Sequence, residues 1–204
     1  MRSSAVLVII DFDGTITERD LTDLVWDQYV PPEDHRRMID DVTAGRISML
    51  ELMERGYSFV RKPPAEIVEE LRPRVRVRPG LPELARRMSC EVLSCGLDFY
   101  IRAFLPCDVP FQSFVATYDG AYHVAFPQGV SLAPGEEFKA NRVRALRETH
   151  PGKPIVYVGD GRADLEPARL CDRIFAVRGS RLEALCRRGG VAHTVFEVFS
   201  EVAP

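Results

Sequence analysis

Three short apolar runs, at residues 5–10, 92–93 and 155–158, each give way within four residues to a polar residue and a glycine. This is the pattern of parallel strands whose C-terminal ends open into ligand-binding loops. Between and after them, hydrophobics recur at helical spacing over residues 81–88, 99–105, 138–148 and 165–171. Residues 173–177 and 195–198 read as later elements of the same layers. The alternation predicts an α/β fold with a doubly wound, mostly parallel sheet.

Residues 17–75 break the alternation. They carry no convincing strand, but Leu21, Leu24 and Val25, then Leu50, Met53 and Tyr57, then Ile67, Val68 and Leu71 keep a helical period. Pro31-Pro32, Gly45 and Pro63-Pro64 punctuate the stretch as helix starts and stops. The expected organisation is therefore a core of residues 1–16 and 76–204 with an inserted unit of three or four helices at 17–75, which returns through a turn or hinge at Arg78-Pro79-Gly80. Residues 114–126 read as a small β-hairpin around Asp119-Gly120, a two-residue turn in which both positions take positive φ, and 127–135 as a loop.

A chain of 204 residues can bury one substantial core. Its net charge of −3 argues against nucleic acid as the main partner, so Arg36-Arg37, Arg86-Arg87 and Arg187-Arg188 read as solvated helix faces. No apolar stretch is long enough for a membrane span or a signal peptide's core, which points to a cytoplasmic protein with no membrane partner. Cys90, Cys95, Cys107, Cys171 and Cys186 are odd in number and form no C-x-x-C pair, so reduced thiols are expected. Oligomeric state is not legible.

The chemistry concentrates at the predicted strand ends. Asp11 and Asp13 follow the first run two residues apart, so strand alternation turns both carboxylates the same way. Crowded carboxylates repel and need a proton, a cation or a basic partner. A divalent cation would let one serve as nucleophile and the other as acid/base in phosphate chemistry. Asp160, between Gly159 and Gly161, and Asp164 one helical turn later form a second acidic cluster. Asp11, Asp160 and Asp164 offer enough carboxylates for Mg²⁺, with Asp164 either a direct ligand or the group that orients Asp160. Ser94-Cys95-Gly96 offers a hydroxyl and backbone N–H groups to an anion. Lysine occurs only at positions 62, 139 and 153, and Lys139 falls in the early turns of a predicted helix, where the dipole disfavours a cation. A rule broken there suggests a charge that neutralises phosphate and keeps a carboxylate ionised.

Asp11-Phe12-Asp13-Gly14-Thr15, Ser94, Lys139 and Gly159-Asp160 to Asp164 occur in the order of the four signature motifs of the haloacid dehalogenase superfamily of phosphatases, which the chain resembles over most of its length. The insertion resembles that superfamily's C1 cap. The resemblance implies that Asp11 attacks phosphorus to form an aspartyl-phosphate, and that Asp13 protonates the leaving alcohol and then activates water. It further implies that Asp11, Asp160 and the Asp13 carbonyl hold magnesium, and that Ser94, Lys139 and the Gly96 backbone hold the phosphoryl group. The stretches DFDGTIT, SCGLDFY and GDGRADLEPARLCD look most like the methionine-salvage enol-phosphate phosphatases, with Cys95 where that group has glycine. Phosphoserine phosphatases are similar too, but have Ser at the place of Gly14 and Asn at that of Ala163. The expected partner is a small phosphorylated metabolite. Asp20, Arg46, Met49, Met53 and Tyr57 are candidate contacts from the insertion, with helix packing the simpler role for the methionines and Tyr57. Rival expectations are transfer to a second metabolite and a phosphoacceptor module of the receiver type.

Overall fold

The structure is a computed structural model that describes residues 6–133 and 136–203. In chain order the elements are β1 (Leu7–Ile10), α1 (Leu21–Tyr29), α2 (Pro32–Thr43), α3 (Met49–Tyr57), α4 (Pro64–Leu71), α5 (Leu81–Arg87), β2 (Ser89–Leu97) and α6 (Asp98–Phe104). They continue with β3 (Phe111–Tyr118), β4 (Tyr122–Ala125), α7 (Phe138–Thr149), β5 (Ile155–Gly159), α8 (Leu165–Arg169), β6 (Arg173–Val177), α9 (Arg181–Arg188) and β7 (Thr194–Phe196). Ala5, Pro134 and Gly135, placed by the sequence in a strand and a loop, lie outside the described residues.

The strands form one sheet in the order β4-β3-β2-β1-β5-β6-β7, parallel throughout except for β4. Every residue of β1 and β5 is buried. Helices on both faces make that possible, and explain why these strands read as unbroken apolar runs. The chain builds outward from β1 through β2 and β3, then crosses back to place β5 on the other side of β1. The β1/β5 junction is thus a topological switch point, where open α/β sheets bind ligands beyond the strand tips.

The insertion contains four helices with local signals that suffice to define them. Asp20 caps α1 by accepting from the Asp23 N–H at 3.0 Å, and Ser48 and Glu51 form a reciprocal capping box at α3. Prolines occupy the first positions of α2 and α4. The chain leaves and re-enters the sheet through a bridge between Thr17 and Val77. Arg78 fastens this crossing: its N–H donates to the Ile16 carbonyl, and its guanidinium to the carbonyls of Thr15, Gly14 and Glu197. Among the described residues, no helix is long and apolar enough to cross a membrane. The three arginine pairs are exposed on α2, α5 and α9, as their charge requires.

Two expectations about the hairpin need correction. Its first strand begins at Phe111 and pairs in parallel with β2, so the hairpin extends the main sheet. Its turn holds three residues between the pair Tyr118 and Tyr122, and Gly120 alone takes positive φ, at 108°, since no non-glycine does so among the described residues. Asp119 instead accepts from the Ala121 N–H through its side chain, a local bond that a shorter turn would not leave room for.

Candidate active site

Asp11 lies one residue past β1, its N–H still bonded to the Val158 carbonyl on β5. Beyond it the N–H groups of Thr15, Ile16 and Thr17 all converge on the Phe12 carbonyl, which turns the chain tightly. The two carboxylates therefore project from a loop rather than from a continuing strand. Gly14 takes φ +75° in that turn, and a Cβ there would lie 2.3 Å from Oδ2 of Asp160. The close approach of this backbone to Asp160 accounts for glycine at that position.

Lys139, the second residue of α7, reaches across to both acidic clusters. Its Nζ donates to Oδ1 of Asp11 at 2.6 Å and to Oδ1 of Asp164 at 2.7 Å, with all three groups buried. Burial alone would lower the lysine pKa, but Asp11 and Asp164 outweigh it and hold the ammonium charged, well above its ordinary value. One turn further along α7, Arg142 makes a two-pronged pair at 2.6 and 2.8 Å with Glu91 on β2, which sets the helix against the sheet.

Asp164 spends both carboxylate oxygens on the protein. Oδ1 also accepts from the Tyr157 hydroxyl at 2.8 Å, and Oδ2 from the N–H groups of Asp160 at 3.0 Å and Gly161 at 2.7 Å. It orients Lys139 and the Asp160 loop. Asp160 accepts from the Thr15 hydroxyl at 2.9 Å through Oδ1, and among the described residues its Oδ2, like Oδ2 of Asp11, meets no hydrogen-bond donor. Ligand atoms of Asp11, Asp160 and Asp164 lie within 4.8 Å of one another, a set of hard oxygen donors suited to a divalent cation.

Asp13 accepts from the Leu21 N–H at 2.9 Å and, more loosely, from the hydroxyls of Tyr100 and Ser94 at 3.3 and 3.4 Å. Burial raises its pKa from 3.8 to about 6. Burial, then Asp164, raises that of Asp160 to about 7, and burial, then Asp164, lifts Asp11 well above its usual range despite Lys139. One ammonium does not balance this much buried acid.

The β2 tip differs from the open anion loop expected of Ser94-Cys95-Gly96. These residues belong to the strand, but the register with β3 slips between Leu93 and Leu97, so a bulge re-aims them. The Gly96 N–H is not free: it donates to the Ser94 Oγ at 2.8 Å. A Cβ at Gly96 would meet the Tyr100 hydroxyl at 2.1 Å and Oδ2 of Asp13 at 2.4 Å. We expect Gly96→Ala to displace Asp13 and lower kcat by about 10²-fold, the order of loss that a misplaced reacting group brings, as steady-state kinetics against the parent would show. The Cys95 thiol, pushed up to about 12 by burial, stays protonated.

The chain matches the family described as haloacid dehalogenase-like hydrolase over residues 8–169. It belongs to the haloacid dehalogenase-like hydrolases. Relatives named 2-hydroxy-3-keto-5-methylthiopentenyl-1-phosphate phosphatase from Geobacillus kaustophilus and Exiguobacterium sibiricum are 28% and 24% identical to it. Those matches cover 97% of this chain and 93% and 94% of theirs. A solved structure titled as the phospho-aspartyl intermediate analogue of phosphoserine phosphatase superposes with a TM-score of 0.71, covering 98% of each chain at 17% identity, which is a likeness of fold.

Within this hydrolase the candidate contacts from the insertion divide. Asp20 comes beside Asp13, and burial, then Asp13, raises its pKa well above the usual range. Tyr57 is fully buried, with Asp13 and Asp20 among the charges acting on its hydroxyl. Met53 is core, and Met49 is half-buried against that core. Arg46 is not brought to the site: its guanidinium is exposed and bonded to Asp41 at 2.7 Å. Local pairing across the α2–α3 connection satisfies it. The sequence reading missed the hydroxyls of Thr15, Thr22, Tyr100 and Tyr157. Thr22 and Tyr100 lie 2.9 Å apart and continue the network from Asp13 into α1.

Proposed function

We propose that this hydrolase is a magnesium-dependent phosphomonoesterase acting on a small phosphorylated metabolite, with Asp11 as nucleophile and an aspartyl-phosphate on the path. The observation that carries it is Lys139 bound between Asp11 and Asp164 beside a protonatable Asp13. Lys139 opposes the protonation of Asp11 that burial favours, and offers its charge to the phosphoryl oxygens. An incoming phosphoryl group is a charged acceptor for the Ser94 hydroxyl and the Gly96 N–H, which now meet Asp13 Oδ2 at 3.4 Å and the Ser94 Oγ at 2.8 Å. Asp13, raised to about 6, delivers a proton to the departing alkoxide and removes one from the water that attacks the phosphorylated Asp11.

Asp11, Asp160 and the Asp13 carbonyl would hold Mg²⁺, with Asp164 bracing the loop. The free carboxylate oxygens and the excess of buried acid support this donor set. When bound, the ion supplies charge stabilisation to the transferring phosphoryl group. The four helices of residues 17–75 would act as a C1 cap over the site, excluding water and selecting the alcohol. Five unpaired cysteines support a reducing, cytoplasmic setting. The near full-length relatives favour a methionine-salvage enol phosphate as substrate. Hydrolysis of a generic aryl phosphate with and without Mg²⁺ tests the reading: turnover that needs the ion supports it, and turnover indifferent to chelation contradicts it.

The raised carboxylates make a second expectation. In the unfolded chain these aspartates ionise near pH 4. The metal-free native state keeps protons on Asp13 to about 6 and on Asp160 to about 7. Between those limits the native state binds more protons than the unfolded one, so stability is full below about pH 4 for these groups and falls as pH rises through 6–7. The melting temperature of chelated protein should drop from pH 5 to pH 8, and Mg²⁺ should restore more of it at pH 8, a contrast readable by calorimetry.

A further inference from the structure

The tight turn after β1 uses up its own donors. The N–H groups of Thr15, Ile16 and Thr17 all go to the Phe12 carbonyl, so none of them is left for the carbonyls of Gly14, Thr15 and Ile16. One residue collects these successive carbonyls. The Arg78 N–H donates to Ile16 at 2.7 Å, its Nε to Thr15 at 2.8 Å and its Nη2 to Gly14 at 3.3 Å. The remaining arm, Nη1, donates to the Glu197 carbonyl at 2.8 Å, and the guanidinium lies 5.9 Å from the centre of the buried Phe196 ring. The next residue is held to the same C-terminal segment, because the Phe199 N–H donates to the Pro79 carbonyl at 2.9 Å.

Each arm of this cation ends on a carbonyl, and among the described residues it makes no ion pair. Acceptors spread in fixed directions match a planar fork of donors, which a lysine's point charge does not reproduce. The peptides that Arg78 grips carry the site. The Thr15 hydroxyl donates to Oδ1 of Asp160 at 2.9 Å, and Gly14 approaches the same carboxylate so closely that a Cβ would lie 2.3 Å from its Oδ2. Asp13 directly precedes them. A shift of the Gly14 and Thr15 peptides would therefore disturb both Asp13 and Asp160. Asp11 and Lys139 are held from elsewhere, by the Val158 carbonyl on β5 and by Asp164.

We propose that Arg78 is a positioning residue for the cation site: it sets the spacing between the Asp13 turn and Asp160, and through that spacing the affinity for the divalent cation. It does so from beneath the turn, with its donors committed to backbone carbonyls. This rests on the magnesium reading above, in which Asp160 and the Asp13 carbonyl are ligands. The Thr15 hydroxyl transmits the effect, since it is the hydrogen bond that joins the gripped turn to Asp160.

Titration calorimetry of Mg²⁺ into the full-length, chelator-stripped protein tests this, with melting temperatures measured alongside. Arg78→Lys keeps the charge and loses the fork, and its Kd for Mg²⁺ should rise about tenfold or more, the order of loss when a group that orients a metal ligand is changed. Arg76→Ala is the control from the same linker. Its guanidinium reaches only the Pro73 and Val75 carbonyls beside it, so its Kd should stay within about twofold of the parent. Thr15→Val should weaken Mg²⁺ binding by itself, and Arg78→Lys added to it should weaken binding further by about threefold or less, because the two act through one path. An unchanged Kd in an Arg78→Lys protein that melts lower would make the residue a clamp on the fold and overturn the proposal. Full additivity of the two substitutions would overturn it too. Should Arg78→Lys fail to fold, Arg78→Gln is read in the same way, and failure of both to fold would also overturn it, since Arg78 would then support the fold as a whole. A parent protein that takes up no Mg²⁺ would remove the magnesium reading itself, a result distinct from parental binding that Arg78→Lys leaves untouched.

Discussion

Asp11→Asn is expected to reduce phosphomonoester turnover by about 10⁴-fold or more, since an amide oxygen cannot take up the phosphoryl group and no other carboxylate occupies its place. The substitution should not unfold the protein. Burial already works against an ionised Asp11, and Lys139 keeps its 2.7 Å bond to Asp164 when the other partner is neutralised. Metal-free Asp11→Asn should melt no lower than the parent at pH 8, where excess buried acid costs the parent most. Loss of activity together with loss of fold would mean that Asp11 is chiefly structural.

Lys139→Met should do the opposite, damaging stability as well as activity. It strands Asp11 and Asp164 in a site where both are buried and where the second already satisfies Tyr157 and two backbone N–H groups. Removing one partner of a buried charge pair typically costs about 3–5 kcal/mol. For a chain of this size that is a fall of roughly 10 °C in melting temperature. The deficit should shrink as pH is lowered, because the stranded carboxylates can then take up protons that the lysine's charge no longer opposes. Turnover should fall by about 10²–10³-fold even under conditions where the variant is folded, reflecting the lost stabilisation of phosphoryl charge. Guanidine denaturation and steady-state rates at two pH values read both effects.

The acidic framework was legible because each member sits at the tip of a strand whose burial on both faces leaves a plain apolar run. Asp11 after residues 7–10 and Asp160 after 155–159 needed only that periodicity to be placed at one sheet edge. Lys139 was legible through a conflict, a cation in the first turn of a helix. Tyr157 was hidden because a buried tyrosine inside an apolar strand looks like core, and only the three-dimensional position of Asp164 gives its hydroxyl a role. Tyr100 was hidden in the same way on α6. The bulge at Ser94-Cys95-Gly96 depends on pairing with a strand seventeen or more residues away, which no local pattern encodes. Arg46 misled because composition shows a charge near a loop but not that Asp41 is already there to pair with it.

The claim on which the account turns is that an oxygen of Asp11 becomes bonded to phosphorus. Acid-quenching the Mg²⁺-loaded protein during turnover, digesting it and locating the phosphoryl group by mass spectrometry tests this directly. The account predicts a hydroxylamine-labile phosphoryl group on the peptide containing Asp11, absent from Asp11→Asn. A phosphoryl group on another residue of an active protein would contradict it.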